Sequence, residues 1–213
     1  MGSHDYIVHV VDDDVRMRES LRELFTSLDV PSIAFASVTE YVEYAKPDLP
    51  ACLILDVELP DISGLDFQRQ LRDAYHPPIV FITGHGDIPS SVRAIKDGAV
   101  DFLVKPFSQR DLMAATRVAI ARDRLARLER AERAQLLQRY GSLTSRERQV
   151  LPLVVSGFLN KQAAAELGIS EVTIQIHRGR IMHKMAAGSF ADLVRMAGQL
   201  NIGLDRTKQK EHG

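Results

Sequence analysis

The stretch Tyr6-Ile-Val-His-Val-Val-Asp-Asp-Asp14 decides how the first half of the chain reads. A short, β-rich apolar run, Tyr6–Val11, stops at three consecutive carboxylates. After it, Met17, Leu21, Leu24, Phe25 and Leu28 recur at three- and four-residue spacing, which predicts an amphipathic helix over Val15–Leu28. The same couplet of strand then helix repeats downstream. Ile33–Ala36 is a second strand, followed by a helix through Tyr41 and Tyr44. Cys52–Leu55 is a third, ending at Asp56, and the turn Pro60–Gly64 leads into a helix from Leu65 to about Arg72. Ile79–Ile82 ends at Thr83, and another helix closes near Gly98. Phe102–Val104 ends at Lys105-Pro106. Five strands alternating with helices imply a parallel sheet covered on both faces. In such sheets ligands sit beyond the carboxyl ends of the strands, where Asp12, Asp13, Asp56, Thr83 and Lys105 all fall.

The remaining sequence is helical. Ser108 to about Arg139 holds neither proline nor glycine, predicting one long helix. Leu125 and Leu128 start an a/d seam that Glu132 and Gln135 fail to continue, so a solvated connector and a short coiled-coil contact both fit. Thr144-x-x-Glu147 is a capping box opening a helix through Val155, with Pro152 inside it expected to kink the axis. Asn160–Leu167, the turn Gly168-Ile169-Ser170, and Glu171–Met185 read as helix-turn-helix, with Ser170 as N-cap of the second member. A last helix runs from about Ser189 to Gln199, and the tail from Asp205 is polar.

The 213 residues allow one large domain or two small ones, and a 45% apolar, 26% charged composition excludes wholesale disorder. One cysteine rules out an internal disulfide and a thiolate metal site, which fits a reducing cytoplasm. No apolar run approaches the ~20 residues of a membrane span. The net charge of −1 hides an asymmetry. Residues 1–121 carry 11 Lys+Arg against 19 Asp+Glu, a balance of −8, whereas residues 122–213 carry 16 against 9, a balance of +7. Two units with different partners are implied.

Three carboxylates with a threonine and a lysine around one sheet edge suit a hard divalent cation and a phosphoryl group. Mg²⁺ takes oxygen ligands and commonly binds through one or two carboxylates plus a phosphate. A carboxylate so placed can attack phosphorus, with Lys105 supplying positive charge and Thr83 a hydroxyl.

Here the sequence resembles a known family. The pieces VVDDD (10–14), LILD (53–56) with LPDISG (59–64), FITGHGD (81–87) and FLVKPF (102–107) are similar to those of two-component receiver domains. The resemblance implies a flavodoxin-like (βα)5 fold with Asp56 as phospho-acceptor. Asp12, Asp13, Asp56 and the carbonyl of Glu58 would hold Mg²⁺, and Thr83 and Lys105 would contact the phosphoryl group. Lys105-Pro106 would be cis. Phe102 matches the aromatic switch, which lacks a hydroxyl here, so coupling to Thr83 must work through packing. The second half resembles the four-helix LuxR-type DNA-binding domain in a FixJ-like arrangement. Its marks are Leu143-Thr144, Arg146-Glu147, Val150-Leu151, Asn160-Lys161, Glu166–Ser170, Thr173-Ile174, Ile176–Arg178 and Ile181-Met182.

Stepping 100° per residue along the recognition helix puts Ile174, Ile181 and Met185 on the core side. Val172, Ile176, Gly179 and His183 face outward, flanked by Gln175 and Arg180. Gln175 suits adenine and Ile176 a thymine methyl in a major groove. Thr173 and Gly179 share the expected interface, and Lys161, Arg178, Arg180 and Lys184 are candidate phosphate contacts. The expected organisation is therefore a receiver over 5–121, a helical linker over 122–140 and a DNA-binding domain over 141–205. The resemblance implies a non-enzymatic, cytoplasmic transcription regulator. A sensor histidine kinase would phosphorylate it; it would then homodimerise, bind promoter DNA and act with RNA polymerase, most simply as an activator. The charge split also suggests that the acidic unit masks the basic one before phosphorylation. Two alternatives compete: a Mg²⁺-dependent aspartyl-phosphate phosphohydrolase, and an RNA-binding antiterminator.

Overall fold

The computed structural model describes residues 5–71, 75–86 and 88–203. The expected helix end at Arg72, the Asp87 of the turn motif and the tail from Asp205 lie outside the described residues. The chain divides into two compact units, Met1–Leu128 and Glu129–Gly213.

The first unit runs β1 (Ile7–Val11), α1 (Val15–Ser27), β2 (Ser32–Phe35), α2 (Val38–Glu43), β3 (Ala51–Asp56), α3 (Gly64–Gln70), β4 (Ile79–Thr83), α4 (Ile88–Lys96) and β5 (Asp101–Val104), then enters α5 (Gln109–Gly141). All five strands are parallel in the order β2-β1-β3-β4-β5. The chain order reverses between β1 and β3, which puts a crevice between their carboxyl ends. Every residue of β1, β3 and β4 is buried because helices cover both faces. Val8, Val10, Cys52, Ile54, Val80 and Ile82 face α1 and α5, meeting Leu21, Phe25, Leu112 and Ala119. The alternate residues Val11, Leu53, Leu55, Ile79 and Phe81 meet Tyr41, Phe67 and Ala94 on the opposite side. Helix α2 stops at Glu43, short of the expected Tyr44, whose backbone is extended.

The second unit holds α6 (Ser145–Val155), α7 (Asn160–Leu167), α8 (Glu171–Met185) and α9 (Phe190–Gln199). Thr144 and Glu147 close the predicted capping box, and Ser170 accepts from the Thr173 amide at the head of α8. Pro152 lies inside α6 without ending it. Gly168 ends α7 with φ +62°, the left-handed conformation that makes the turn, where a side chain would be strained. Ile174, Ile181 and Met185 are fully buried, as the helical stepping predicted, against Val150, Leu151 and Leu193.

The stretch 122–140 is engaged at both ends rather than solvated throughout. Asp123 is fully buried, accepting from the Ala51 amide at 2.9 Å, the Tyr75 hydroxyl at 2.7 Å and Arg127 Nε at 2.9 Å. Arg122 reaches the Gly98 carbonyl, Arg124 pairs with Asp5, and Arg127 also pairs with Asp48. Further along, Leu136 is buried in the core of the second unit and Tyr140 packs against it. Leu125 and Leu128 remain exposed.

Candidate functional site

The carboxyl edge of the first sheet gathers the expected residues. Asp12 follows β1, Asp56 ends β3, Thr83 ends β4 and Lys105 follows β5. One carboxylate oxygen from each of Asp12, Asp13 and Asp56 lies within 4.8 Å of the other two. Lys105 Nζ donates to Asp12 Oδ2 at 2.7 Å and to Asp56 Oδ2 at 2.6 Å. The second oxygens accept from backbone amides, Asp12 Oδ1 from Asp14 and Asp56 Oδ1 from Glu58, both at 2.9 Å. Asp12 is fully buried and Asp56 nearly so, while Asp13 is exposed. An open cleft of about 640 Å³, walled by Asp13, Asp56, Glu58, Gly84, His85 and Lys105, gives access to Asp56.

Local sequence explains this placement. The Asp14 side chain caps α1, fixing the turn that carries Asp12 and Asp13. The Gly64 amide donates to the Val57 carbonyl at 3.0 Å, and a Cβ there would fall 2.2 Å from the Asp56 carbonyl oxygen. Only glycine lets α3 start so close to the acceptor strand. Lys105-Pro106 is cis, and the Lys105 amide bonds the Thr83 carbonyl at 2.8 Å.

Burial pushes the Asp12 carboxyl above its ordinary value even with Lys105 beside it. Burial opposes the charge of Lys105, but its bonds to Asp12 and Asp56 outweigh that and raise its pKa. The site thus concentrates negative charge with one ammonium bridging it. Hard oxygen donors converging in this way fit Mg²⁺. The Thr83 hydroxyl exchanges hydrogen bonds with the His85 backbone, both at 3.1 Å. Phe102 is half-buried, its ring 6.1 Å from that of Phe81. His85 Nδ1 lies 3.0 Å from Glu58 Oε1 at the exposed rim, a pairing across two loops that residue spacing could not reveal.

In the second unit Lys161, Gln175, Ile176, Gly179 and Arg180 are exposed, as expected of a docking face, and Thr173 is half-buried with its hydroxyl 2.8 Å from that of Ser170. Two expected phosphate contacts are otherwise engaged. Lys184 Nζ bonds Glu147 Oε2 at 2.7 Å, and Glu147 is buried beneath it. Arg178 donates to Asn160 Oδ1 at 3.2 Å and stacks over Phe190 at 4.8 Å. Sequence reasoning missed both because each partner lies on another helix. It also missed Arg146, which caps α7 by donating to the Leu167 carbonyl at 2.7 Å.

Residues 8–117 match the response regulator receiver domain, and residues 141–197 match the bacterial regulatory proteins of the luxR family. The chain belongs to the two-component response regulators that join a receiver to a LuxR-type DNA-binding domain. It is 49% identical to nodulation protein W of Bradyrhizobium diazoefficiens over 206 residues, covering 96% of this chain and 91% of that protein. It is 42% identical to response regulator protein TodT of Pseudomonas putida over the same shares. The structure resembles that of response regulator StyR with a TM-score of 0.78 at 43% identity, covering 92% of this chain and all of that one. These relatives are regulators, and the phosphohydrolase alternative finds no support among them. No helix among the described residues is long and apolar enough to cross a membrane.

Proposed function

We propose that this chain is a cytoplasmic, phosphorylation-dependent transcription regulator whose phospho-acceptor is Asp56. The contact of Lys105 Nζ with both Asp12 and Asp56 supports the assignment, since it singles out one carboxylate that is near the cleft and already paired with a cation. The donor is the phosphohistidine of a sensor kinase. An Asp56 carboxylate oxygen attacks phosphorus, the P–N bond breaks, and the leaving imidazole takes a proton. Asp12, Asp13, Asp56 and the Glu58 carbonyl would hold Mg²⁺, which when bound supplies charge neutralisation at the phosphoryl oxygens. Lys105 then turns its ammonium from Asp56 to a phosphoryl oxygen, and Thr83 rotates its hydroxyl away from His85 to donate to another.

Phosphorylation adds about −1.5 to −2 charge and three acceptor oxygens. The space Thr83 leaves is taken up by Phe102, changing the surface formed by α4, β5 and the start of α5. That surface already exposes Ile88, Val92, Ile95 and Val104 and is where the chain homodimerises. The dimer presents two α8 helices to paired half-sites in promoter DNA. Gln175, Ile176 and Gly179 face base edges, while Lys161, Thr173 and Arg180 face the phosphate backbone. Arg178 and Lys184 support that face from below. Bound next to RNA polymerase, the dimer activates transcription. Incubation with a radiolabelled acyl phosphate and Mg²⁺ tests the first step. One equivalent of label is expected, none in Asp56→Ala, and undiminished labelling of that variant would overturn the assignment.

A further inference from the structure

A second cavity lies in the first unit at the amino edge of the sheet, opposite the edge that carries Asp56. Its volume is about 360 Å³, and its wall includes His9, Tyr41, Lys46, Phe67, Tyr75 and Arg127. Pockets that hold small organic molecules begin at roughly 300 Å³.

His9 stands in the middle of β1, only 1% exposed, and neither ring nitrogen has a hydrogen-bond partner among the described residues. The rings of Phe35, Tyr41 and Tyr44 surround it at 6.1, 5.6 and 6.2 Å. Burial, and then the nearby Lys46 charge, lower its pKa to about 4, so at neutral pH it is an uncharged imidazole with one donor and one acceptor. Leaving such groups unpaired costs stability that an apolar residue in the same strand would not. A single water, whose share of liquid is about 30 Å³, would leave most of the cavity unfilled.

The cationic groups of the wall are held in place, Lys46 by neutral groups and Arg127 by carboxylates. Lys46 Nζ bonds the Tyr41 carbonyl at 2.6 Å and the Tyr44 carbonyl at 3.2 Å, and sits 4.1 Å above the Tyr41 ring. Arg127 is held by Asp123 and Asp48. A cationic ligand would meet two cations, an anionic one would have to draw Lys46 away from both carbonyls and the Tyr41 ring, and a pure hydrocarbon would leave His9 unsatisfied. Tyr41, Phe67 and Tyr75 make much of the wall aromatic, which favours an aromatic guest.

We propose that this cavity binds a small uncharged aromatic molecule bearing one O–H or N–H group, which hydrogen-bonds to His9. Arg127 belongs to α5, so the site lies against the helix that leads out of the unit.

The test titrates phenol into the full-length, ¹⁵N-labelled protein and follows the His9 ring nitrogens by NMR, with benzene and benzoate in parallel. Phenol is expected to saturate with a Kd between about 10 µM and 1 mM, to shift the His9 nitrogens and to raise the Tm with dose. Benzene should bind about tenfold more weakly and benzoate not at all. Val42 lines the cavity and is 57% exposed, so Val42→Trp narrows the mouth without disturbing the core. It should weaken phenol about tenfold or more at an unchanged Tm. His9→Phe should remove the preference for phenol over benzene. The proposal falls if phenol gives no saturable shift at His9, if Val42→Trp binds phenol as tightly as the parent, or if benzoate is preferred.

Discussion

Replacing Lys184 by Met separates a structural from a DNA-contacting role. Glu147 is 1% exposed, while the Lys184 side chain is 31% exposed. Removing one partner of a fully buried ion pair costs about 3–5 kcal/mol, because the other charge is left uncompensated. Two features reduce that figure here. The lysine end is partly solvated, and Glu147 keeps its 2.8 Å bond from the Thr144 amide. A loss of about 1.5–3 kcal/mol follows. For a unit of this size each kcal/mol moves Tm by about 4–8 °C, so a fall of about 6–24 °C is expected in the unfolding of the second unit. Methionine keeps most of the aliphatic stem, so little of the fall reflects lost packing.

The pH dependence gives a second readout. Burial alone would raise the Glu147 pKa, but the Lys184 bond and the Thr144 bonds outweigh it and hold the carboxyl below its ordinary 4.5. A lowered folded pKa contributes stability that is complete above the ordinary value and lost as pH falls through the lowered one. The Tm gap between parent and Lys184→Met should therefore be full at pH 7 and shrink below pH 4.5. Calorimetry across that range, paired with DNA binding at fixed temperature, decides the matter. An unchanged Tm with a large loss of DNA affinity would refute the reasoning and return Lys184 to the phosphate contacts.

Leu136→Ala, which opens the core of the second unit from α5, should cost about 2–4 kcal/mol, whereas Leu137→Ala on the exposed side should cost under about 0.5; chemical denaturation of the 129–213 fragment measures both. Lys161→Ala should weaken DNA uniformly across sequences and reduce the slope of log K against log salt by about 1. Gln175→Ala should instead relax base preference at one position by about 1–3 kcal/mol, seen by binding to a panel of single-base variants. Gly64→Ala forces a Cβ against the Asp56 carbonyl, so acyl-phosphate labelling should slow and stability drop by about 1–3 kcal/mol.

What the sequence made legible was local or periodic. Tyr6–Asp14 carries its strand and two carboxylates of the acidic cluster in one continuous run, so strand end and candidate site are read together. Ile174, Ile181 and Met185 share a helical face whatever surrounds them, and the Ser170 and Thr144 caps act within three residues. What the sequence left unread were the distant partners of charged groups. Lys184 and Glu147 are 37 positions apart, Asp123 and the Ala51 amide 72, and no local rule separates a solvated charge from one so engaged. His9 was invisible for the converse reason. In a strand of valines it reads as one more buried residue, and only the fold shows that its nitrogens have no hydrogen-bond partner among the described residues.

The charge asymmetry changes meaning once these partners are known. Arg122, Arg124 and Arg127 were counted with the basic half, yet each binds back to the first unit, at Gly98, Asp5, and Asp48 with Asp123. Divided where the compact units meet, the first unit holds 14 Lys+Arg against 20 Asp+Glu, or −6, and the second 13 against 8, or +5. Arg178 and Lys184 add charge on the recognition helix but are held by Asn160 and Glu147. The exposed cations of the helix-turn-helix that remain free to follow a phosphate backbone are thus few, with Lys161 and Arg180 foremost. A short list of contacts gives a shallow salt dependence and modest affinity for one copy. Two copies on one DNA double the contacts and multiply affinity through effective concentration. Such a difference between one copy and two is what the proposed phosphorylation-controlled dimerisation would exploit. In this chain the shortness of that list follows from Asn160 and Glu147 holding Arg178 and Lys184.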